Sequence, residues 1–570
     1  MKDDFKSFCI AIVLSAIAVT GINYFFPINQ PQQTEPDFEA QITQEEQDTV
    51  IIENGEEQFA LKDEIVLQDV RIPLKNSDIS GSIRLKGARF DDILLSKYKQ
   101  TIAQDSPLVE LFAPAKTASA FYAEYGWLSA DNSLKLPNSN TLWQTNSTEL
   151  TPDSPVVLTW DNGEGLIFDM QISLDKNYLF NITQHVTNNT GKEVTLIPYG
   201  LMSKHFDVQK EGRSIVHQGF TGIIDGDLKE YNFSDLHEKK FDKQYKVGEQ
   251  MPEDKNFQKF EDTDGWVSLT DKYWFGAFIF NPGTLYDINV RNVRKNIYQL
   301  DFKGKNLTVA AGETKEISSA MFAGAKEIKL LDKYAEKINK FDLAVDFGWY
   351  YFLTKPFFYI LDFLYHLIGN MGWAIIVFAA ILRLLMFPIA NKSFDSMSKM
   401  KKIQPKVMAL QQIYKDNKMA LQQATMELYR KEKVNPASGC LPMFIQIPIF
   451  FSLYKVLNIA IEIRHAPFIG WIKDLSAPDP LTISTWAHIY VPSALDIGVW
   501  PIIYGLTMYL QQKLNPAPAN KDQARMFALM PIIFTLMFAH FASGLVIYWT
   551  LSNILSIIQQ KAIMHKNGVK

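Results

Sequence analysis

The sequence predicts a multi-pass α-helical membrane protein with six transmembrane helices, a large antiparallel β-sandwich domain outside the membrane and a helical hairpin on the cytoplasmic side. Three observations carry that prediction. Residues 8–34 and 526–560 contain no Asp, Glu, Lys or Arg. Soluble surfaces seldom go 35 residues without a charge, whereas bilayer-embedded segments do so routinely. Between these stretches some 265 residues read as short strands and turns. The loops of the last third alternate in charge, as loops on opposite sides of a membrane do. Mean hydropathy, at -0.07, averages two unlike halves. At 570 residues the chain is too long for one core. A formal charge of -5 argues against a surface built wholly for nucleic acid. Two cysteines, Cys9 and Cys440, exclude a disulfide scaffold and a cysteine-rich zinc module.

The first element, residues 1–27, holds a predominantly apolar run of 19 residues from Phe8 to Phe26, enough to cross about 30 Å of hydrocarbon. Ala16-Ile17-Ala18 resembles a signal-peptidase site, but the apolar run continues eight residues beyond it, so an uncleaved signal anchor is expected. Residues 27–64 set eleven acids against one base, Lys62, among prolines and glutamines; 28–64 is expected to be an acidic, flexible linker. The β domain is expected over 65–335. Its strands include Pro155–Trp160, Leu166–Leu174, Tyr178–Val186, Val194–Leu201, Trp274–Phe280 and Thr284–Val293. Asn162-Gly163, Asp225-Gly226 and Asn281-Pro282-Gly283 supply turns. Many strands without helical periodicity favour an antiparallel sandwich.

No catalytic pattern stands out in that domain. His237-Glu238 lacks the second histidine of a zincin, and the chain has no Gly-x-Ser-x-Gly and no phosphate loop. Histidines 185, 205, 217 and 237 lack ligand spacing. A non-enzyme without metal or cofactor is expected. Asn146, Asn181, Asn188 and Asn306 head glycosylation sequons that matter only in a glycosylating pathway.

Residues 336–366 are aromatic-rich but carry Lys355, Asp362 and His366, which suits an interfacial amphipathic helix that Pro356 should start or kink. A five-helix core is expected over 367–570. Its spans are Leu367–Ala390 with Arg383, Cys440–Ile461 with Lys455, Ile497–Gln512, and Met526–Gln560. The last run would be about 50 Å long as one helix. Ser543-Gly544 lies at its middle and lysines flank both ends, so it is expected to cross twice. Residues 391–435 hold ten Lys/Arg against four acids and are assigned inside; 462–496 hold two against four and are assigned outside. Both termini then fall inside. Ile403, Val407, Leu410 and Tyr414, then Leu421, Ala424, Thr425 and Leu428, repeat at helical spacing around a polar break, so 391–435 reads as an antiparallel helical hairpin.

Specific motifs stand on this frame. Asn435-Pro436-Ala-Ser-Gly439-Cys440-Leu-Pro442-Met-Phe-Ile-Gln446-Ile-Pro448-Ile-Phe450 follows the hairpin; Arg383-Leu-Leu-Met-Phe-Pro388 precedes it; Ser543-Gly544-Leu-Val-Ile-Tyr548-Trp549 lies ahead of Asn553. Together they closely resemble the YidC/Oxa/Alb membrane-protein insertases, in the Gram-negative form with a large periplasmic domain. The resemblance implies a β-supersandwich similar to sugar-mutarotase folds, and spans surrounding a hydrophilic groove open to the cytoplasm and to lipid. It implies a location in the bacterial inner membrane, with nascent membrane proteins as clients. It further implies work alone or beside the Sec translocon, and ribosome and signal-recognition-receptor contacts through 391–435 and the C-terminal tail. Arg383 matches the central groove arginine; by sequence alone it could equally snorkel, with Asn391 about 12 Å along the helix. Gln446 and Gln512 match polar groove positions, and Phe450 and Trp549 match substrate contacts, for which lipid-facing packing is the alternative. Ala379 stands where some members carry a hydroxyl. Lys455 is an unusual charge for its span, and snorkelling outward accounts for it.

The mechanism implied needs no covalent chemistry and no nucleotide. About 20 span residues at roughly -0.3 to -0.6 kcal/mol each partition into lipid with on the order of -10 kcal/mol. The barrier is the polar flank, which a wet groove and a thinned bilayer shorten. The alternatives are a solute transporter, which predicts internal repeats that the spans do not show, and a membrane-anchored protein binding cell-envelope carbohydrate.

Overall fold

The computed structural model describes residues 51–53, 56–208, 216–237, 258–414, 417–432, 434, 441–492, 495–515 and 521–568. The signal anchor, most of the acidic linker and the Asn435–Cys440 part of the motif lie outside these residues.

Strands pair antiparallel throughout two large sheets. One holds eight strands in the order Asp227–Asn232, Gly219–Ile224, Gly265–Thr270, Trp274–Ile279, Thr314–Ala325, Leu179–Asn188, Leu166–Leu174 and Val156–Asp161. The other runs Gln258–Thr263, Tyr286–Arg294, Ile297–Lys303, Val194–His205, Phe121–Leu128, Arg89–Lys99, Ile79–Arg84 and Arg71–Lys75. Leu307–Val309 and Leu108–Phe112 pair beside that path. Alternation explains the sandwich. Leu166, Phe168, Met170, Ile172 and Leu174 are buried while the residues between them are not, so one face of the strand meets the core. Phe275, Phe278, Phe302 and Phe322 fill the interior with edge-to-face and stacked rings.

The expected strands stand where their patterns lie, with ends moved by at most four residues and Leu166–Leu174 unchanged. The Asp225-Gly226 turn has positive φ at both residues and joins Gly219–Ile224 to Asp227–Asn232, the geometry a two-residue hairpin needs. Two expectations change. The linker is not wholly extended: Ile51–Glu53 pairs with Glu56–Gln58, and Lys62–Val66 is helical. The acidic composition obscured an Ile-Ile pair and an Asn-Gly turn dipeptide. Asn188 is not a usable sequon, because it is fully buried and its amide donates to the carbonyls of Lys192 (2.6 Å) and Val309 (2.9 Å).

Eight helices of eight or more residues follow among the described residues: α1 Ile328–Ala335, α2 Tyr351–Ile368, α3 Met371–Ile413, α4 Lys418–Lys431, α5 Leu441–Ile459, α6 Val499–Leu514, α7 Lys521–Phe538 and α8 Ser543–Lys566; a five-residue helix, Ile483–Ala487, lies between α5 and α6. Pro356 neither starts nor precedes α2; the helix begins five residues earlier. The span and the first hairpin arm are not separate. They form one helix of 43 residues that runs through Pro388 and Pro405. A proline removes one helical hydrogen bond without changing the periodicity of the buried face, which continues through Ala390, Phe394, Ile403 and Val407. The uncharged stretch does break at Ala539–Ala542, so α7 and α8 are two helices. Among the described residues α3 alone is long and apolar enough to cross a membrane by itself; Phe444–Ile459 and Arg525–Phe538 are shorter apolar stretches.

Polar contacts tie the β domain to the helices. The Glu462 carboxylate, just past α5, accepts the Ile328 N–H at the start of α1 (3.1 Å). Burial pushes its acid up to about 7. Arg464 donates to the Gln100 carbonyl (2.9 Å) and lies over the Trp274 ring. Lys455 pairs with Asp346 on the connector before α2, at the end of the helices that meets the β domain. At the same end of the bundle, buried Asp479 accepts from Trp471 Nε1 (2.9 Å) and from the Leu481 and Trp500 amides (3.0 and 2.8 Å), which organises the connection from α5 to α6.

Candidate functional site

The helices bury a set of polar side chains within a largely apolar interior and expose apolar ones outside. On α8 the buried side chains include Ser552, Asn553, Ser556 and Gln560. Outward-facing side chains include Leu384 and Leu385 on α3, Phe444 on α5, Leu506 on α6 and Ile532 on α7, each more than half exposed. In water such a surface would be an aggregation site; facing lipid it is the stable arrangement.

Tyr548, Ser552 and Ser556 recur every four residues, so they share one face of α8. That face meets α3 at Arg383. Arg383 Nη2 donates to the Ser552 carbonyl (2.9 Å) and to Ser556 Oγ. Ser556 Oγ itself donates to the same Ser552 carbonyl (2.7 Å), so its lone pairs face the guanidinium. Arg383 Nε is buried and has no partner among the described residues. All of these acceptors are neutral, and no carboxylate pairs with Arg383 among the described residues. A charge held that way is poorly compensated and ready for an anionic group.

Gln446 on α5 donates to Tyr548 Oη (3.2 Å) and, with Arg383 and Ser552, lines a cavity of about 20 Å³. That is room for a water molecule, not for a polypeptide. Any larger group beside Arg383 therefore requires α3, α5 and α8 to part. Gln512 lies elsewhere: in the last turn of α6 it donates to the Phe527 carbonyl of α7 and does not line this cavity. Phe450 and Trp549 do meet, edge to face with ring centroids 5.5 Å apart. Tyr504 and Phe538 complete an aromatic cluster around Trp549. Trp549 Nε1 is buried without an acceptor among the described residues.

Sequence reasoning missed Ser552, Ser556, Tyr548 and Tyr504. The four-residue repeat of hydroxyls along an uncharged span was the available signal. Close helix approach is set by Gly505, where a Cβ would fall 2.0 Å from Thr535 Oγ1, bringing α6 against α7. No group of three or more metal-binding side chains occurs among the described residues.

Comparison with known proteins agrees with this architecture. Residues 363–569 match the family model of the 60Kd inner membrane protein, and 71–360 match that of the YidC periplasmic domain. A protein of Rickettsia bellii named membrane protein insertase YidC is 43% identical, over 98% of this chain and 99% of its own. Another of that name, from Beijerinckia indica, is 42% identical over 100% of this chain and 97% of its own. A crystal structure of an active YidC insertase with its first transmembrane domain resolved covers 86% of this chain and 91% of that one, at 19% identity and a TM-score of 0.36. With relatives this similar along nearly its whole length, the chain belongs to the YidC family of membrane protein insertases.

Proposed function

We propose that this chain inserts nascent integral membrane proteins into the bacterial inner membrane and helps them fold. The observation that carries the reading is a positive charge held only by neutral groups among helices whose outer faces are apolar. In this reading α3, α5, α6, α7 and α8 are spans, and residues 1–27 form a sixth. Both termini and the α3–α4 hairpin are cytoplasmic, and the β domain is periplasmic. At about 1.5 Å per residue, α6 is roughly 24 Å long and α5 roughly 28 Å. Both fall at or below the thickness of a hydrocarbon core, so the bilayer thins around them.

A client's polar flank enters between α3, α5 and α8 as these part. Arg383 attracts acidic residues in that flank, Gln446 and Tyr548 offer hydrogen bonds, and Phe450 and Trp549 guide the apolar span toward lipid. Gln512, near the α6–α7 connection, acts at the cytoplasmic mouth. An inside-negative potential favours outward movement of each negative charge by about 2.3 kcal/mol per 100 mV. The α3–α4 hairpin and the C-terminal tail offer basic surfaces to the ribosome and to the signal-recognition receptor, and the bundle can work alone or beside the Sec translocon.

The test is reconstitution of the full chain into liposomes with a single-span client bearing a short acidic outer tail. Protease protection of that tail should depend on the protein. Equal protection in protein-free liposomes would refute the activity.

A further inference from the structure

A larger cavity, of about 680 Å³, lies where the β domain meets the helices. Three elements wall it: the edge strand Asp227–Asn232, the connector 343–350 with the start of α2, and the C-terminal half of α5. Side chains two apart on a strand share a face, and Leu228 and Glu230 both line the cavity. Phe347, Trp349, Tyr350 and Phe451 add an aromatic lining.

The charges in the wall are not equivalent. Asp346 is saturated: Oδ1 accepts from the Gly348 N–H (3.0 Å), while Oδ2 accepts from Lys455 Nζ and the His217 N–H (3.4 Å). Gly348 has φ +71°, and a Cβ there would come within 3.0 Å of Lys455 Cε, so this wrap around the lysine requires glycine. Glu230 differs. Among the described residues its carboxylate has no hydrogen bond and no ion pair. Partial desolvation at the cavity, then the nearby Asp346 charge, raise its pKa against smaller opposing pulls from Lys326 and Lys455, neither of which forms an ion pair with it. Lys326, buried behind the wall, is pushed down to about 8 by desolvation and does not pair with it.

We infer that this cavity binds the ammonium headgroup of a phospholipid, of the phosphatidylethanolamine class, drawn from the outer leaflet. Ring faces beside an unpaired carboxylate select an ammonium group over an anion. Lys455 has three donor hydrogens, of which Asp346 takes one, so it can also reach the lipid phosphate. The source is a bilayer because the cavity is flanked by an aromatic belt: Trp349 is 97% exposed, with Tyr351 and Phe352 beside it, and Phe451 is exposed on α5. Such side chains sit at headgroup depth. The volume falls within the range of ligand pockets and holds more than an ethanolamine group. A lipid bound here would bridge the β domain to the helices at the membrane surface.

The inference rests on the membrane placement proposed above, and the experiment separates the two. The full chain is placed in vesicles of equal phosphatidylethanolamine and phosphatidylglycerol, floated, extracted gently and analysed by native mass spectrometry for retained lipid. Phosphatidylethanolamine should be retained over phosphatidylglycerol by about fivefold. Glu230→Gln, nearly isosteric on an exposed edge strand, should bring that ratio close to one. Leu228→Trp, which fills the cavity from the same strand, should lower retention of both lipids. Circular dichroism matching the parent shows that each variant is folded. A parent that floats without headgroup preference, or folded variants that keep the parental ratio and amount, would overturn the site. A parent that fails to float would overturn the membrane placement together with it. Displacement of the lipid by millimolar free phosphoethanolamine would mark a soluble-ligand site instead and overturn the lipid assignment.

Discussion

Two arginines, one buried and one partly buried, show how differently the halves of this molecule treat charge. In the β domain Arg89 is 2% exposed, and its Nε donates to the Glu124 carboxylate at 2.8 Å, with the Tyr122 ring against the guanidinium. In the helical half Arg383 meets only a backbone carbonyl and a hydroxyl, and its Nε is left over. The first arrangement cancels a charge so that a sandwich can close over it. The second leaves a charge uncancelled among neutral groups, which costs stability. The wider pattern agrees. On α8 the helices bury Ser552, Asn553, Ser556 and Gln560, and their outer faces expose leucines and isoleucines.

The contrast can be broken most strongly at Arg89. Glu124→Ala should destabilise the β domain by about 3–5 kcal/mol, because it leaves a buried guanidinium without its partner. Urea unfolding of the full chain, followed by tryptophan fluorescence, measures this. Insertion by the molecules still folded should stay within about twofold of the parent, since this pair lies in the other half of the molecule. A large insertion defect in the folded fraction would show that the β domain does more than stand beside the site.

The junction between the halves comes next. The Glu462 acid is raised from an ordinary carboxyl value to about 7, chiefly by desolvation. The folded state therefore holds this proton to higher pH than the unfolded state does. The sign follows: stability from this group is greatest below about pH 4.5, falls as pH rises toward 7, and is level beyond. The span corresponds to about 3 kcal/mol. Glu462→Gln should flatten the fall. Thermal unfolding of parent and variant between pH 5 and 8 reads the difference, and parallel curves would mean that Glu462 ionises normally.

Arg383→Ala should leave stability within about 1 kcal/mol of the parent, because no ion pair is lost. It should cut insertion of clients with acidic outer tails by about tenfold or more, equivalent to about 1.4 kcal/mol. Neutral tails should suffer less. Arg383→Lys should retain substantial activity if positive potential is what matters. Equal insertion by the Ala variant for every client would reduce Arg383 to a structural residue.

The smallest effect is expected at Ser556. Ser556→Ala removes the hydroxyl that accepts from Arg383 and should lower insertion by about threefold. In an Arg383→Ala background it should add nothing, since the two act as a unit. Additive losses in protease-protection assays would separate the serine from the arginine.

The amino-acid sequence by itself was enough for the strands, the turns and the family. Alternation such as Leu166-x-Phe168-x-Met170 is a local property of the chain, and so is the positive-φ demand at Asp225-Gly226. Arg383, Gln446, Phe450 and Trp549 could be singled out because a charge, an amide or a ring inside a motif is visible one residue at a time. What meets them could not be read that way. Ser552 and Ser556 lie about 170 positions from Arg383, and a serine in a span looks the same whether it faces lipid or a guanidinium. The separation of Gln512 from the Arg383 cavity, the continuity of α3 through two prolines and the Lys455–Asp346 pair are likewise tertiary facts. Each depends on which helix faces are brought together, and helix–helix packing follows shape and hydrogen bonding across the interface rather than a period along one chain. The sequence determined which segments are apolar and where they turn; only the packed helices decided which polar groups share a site.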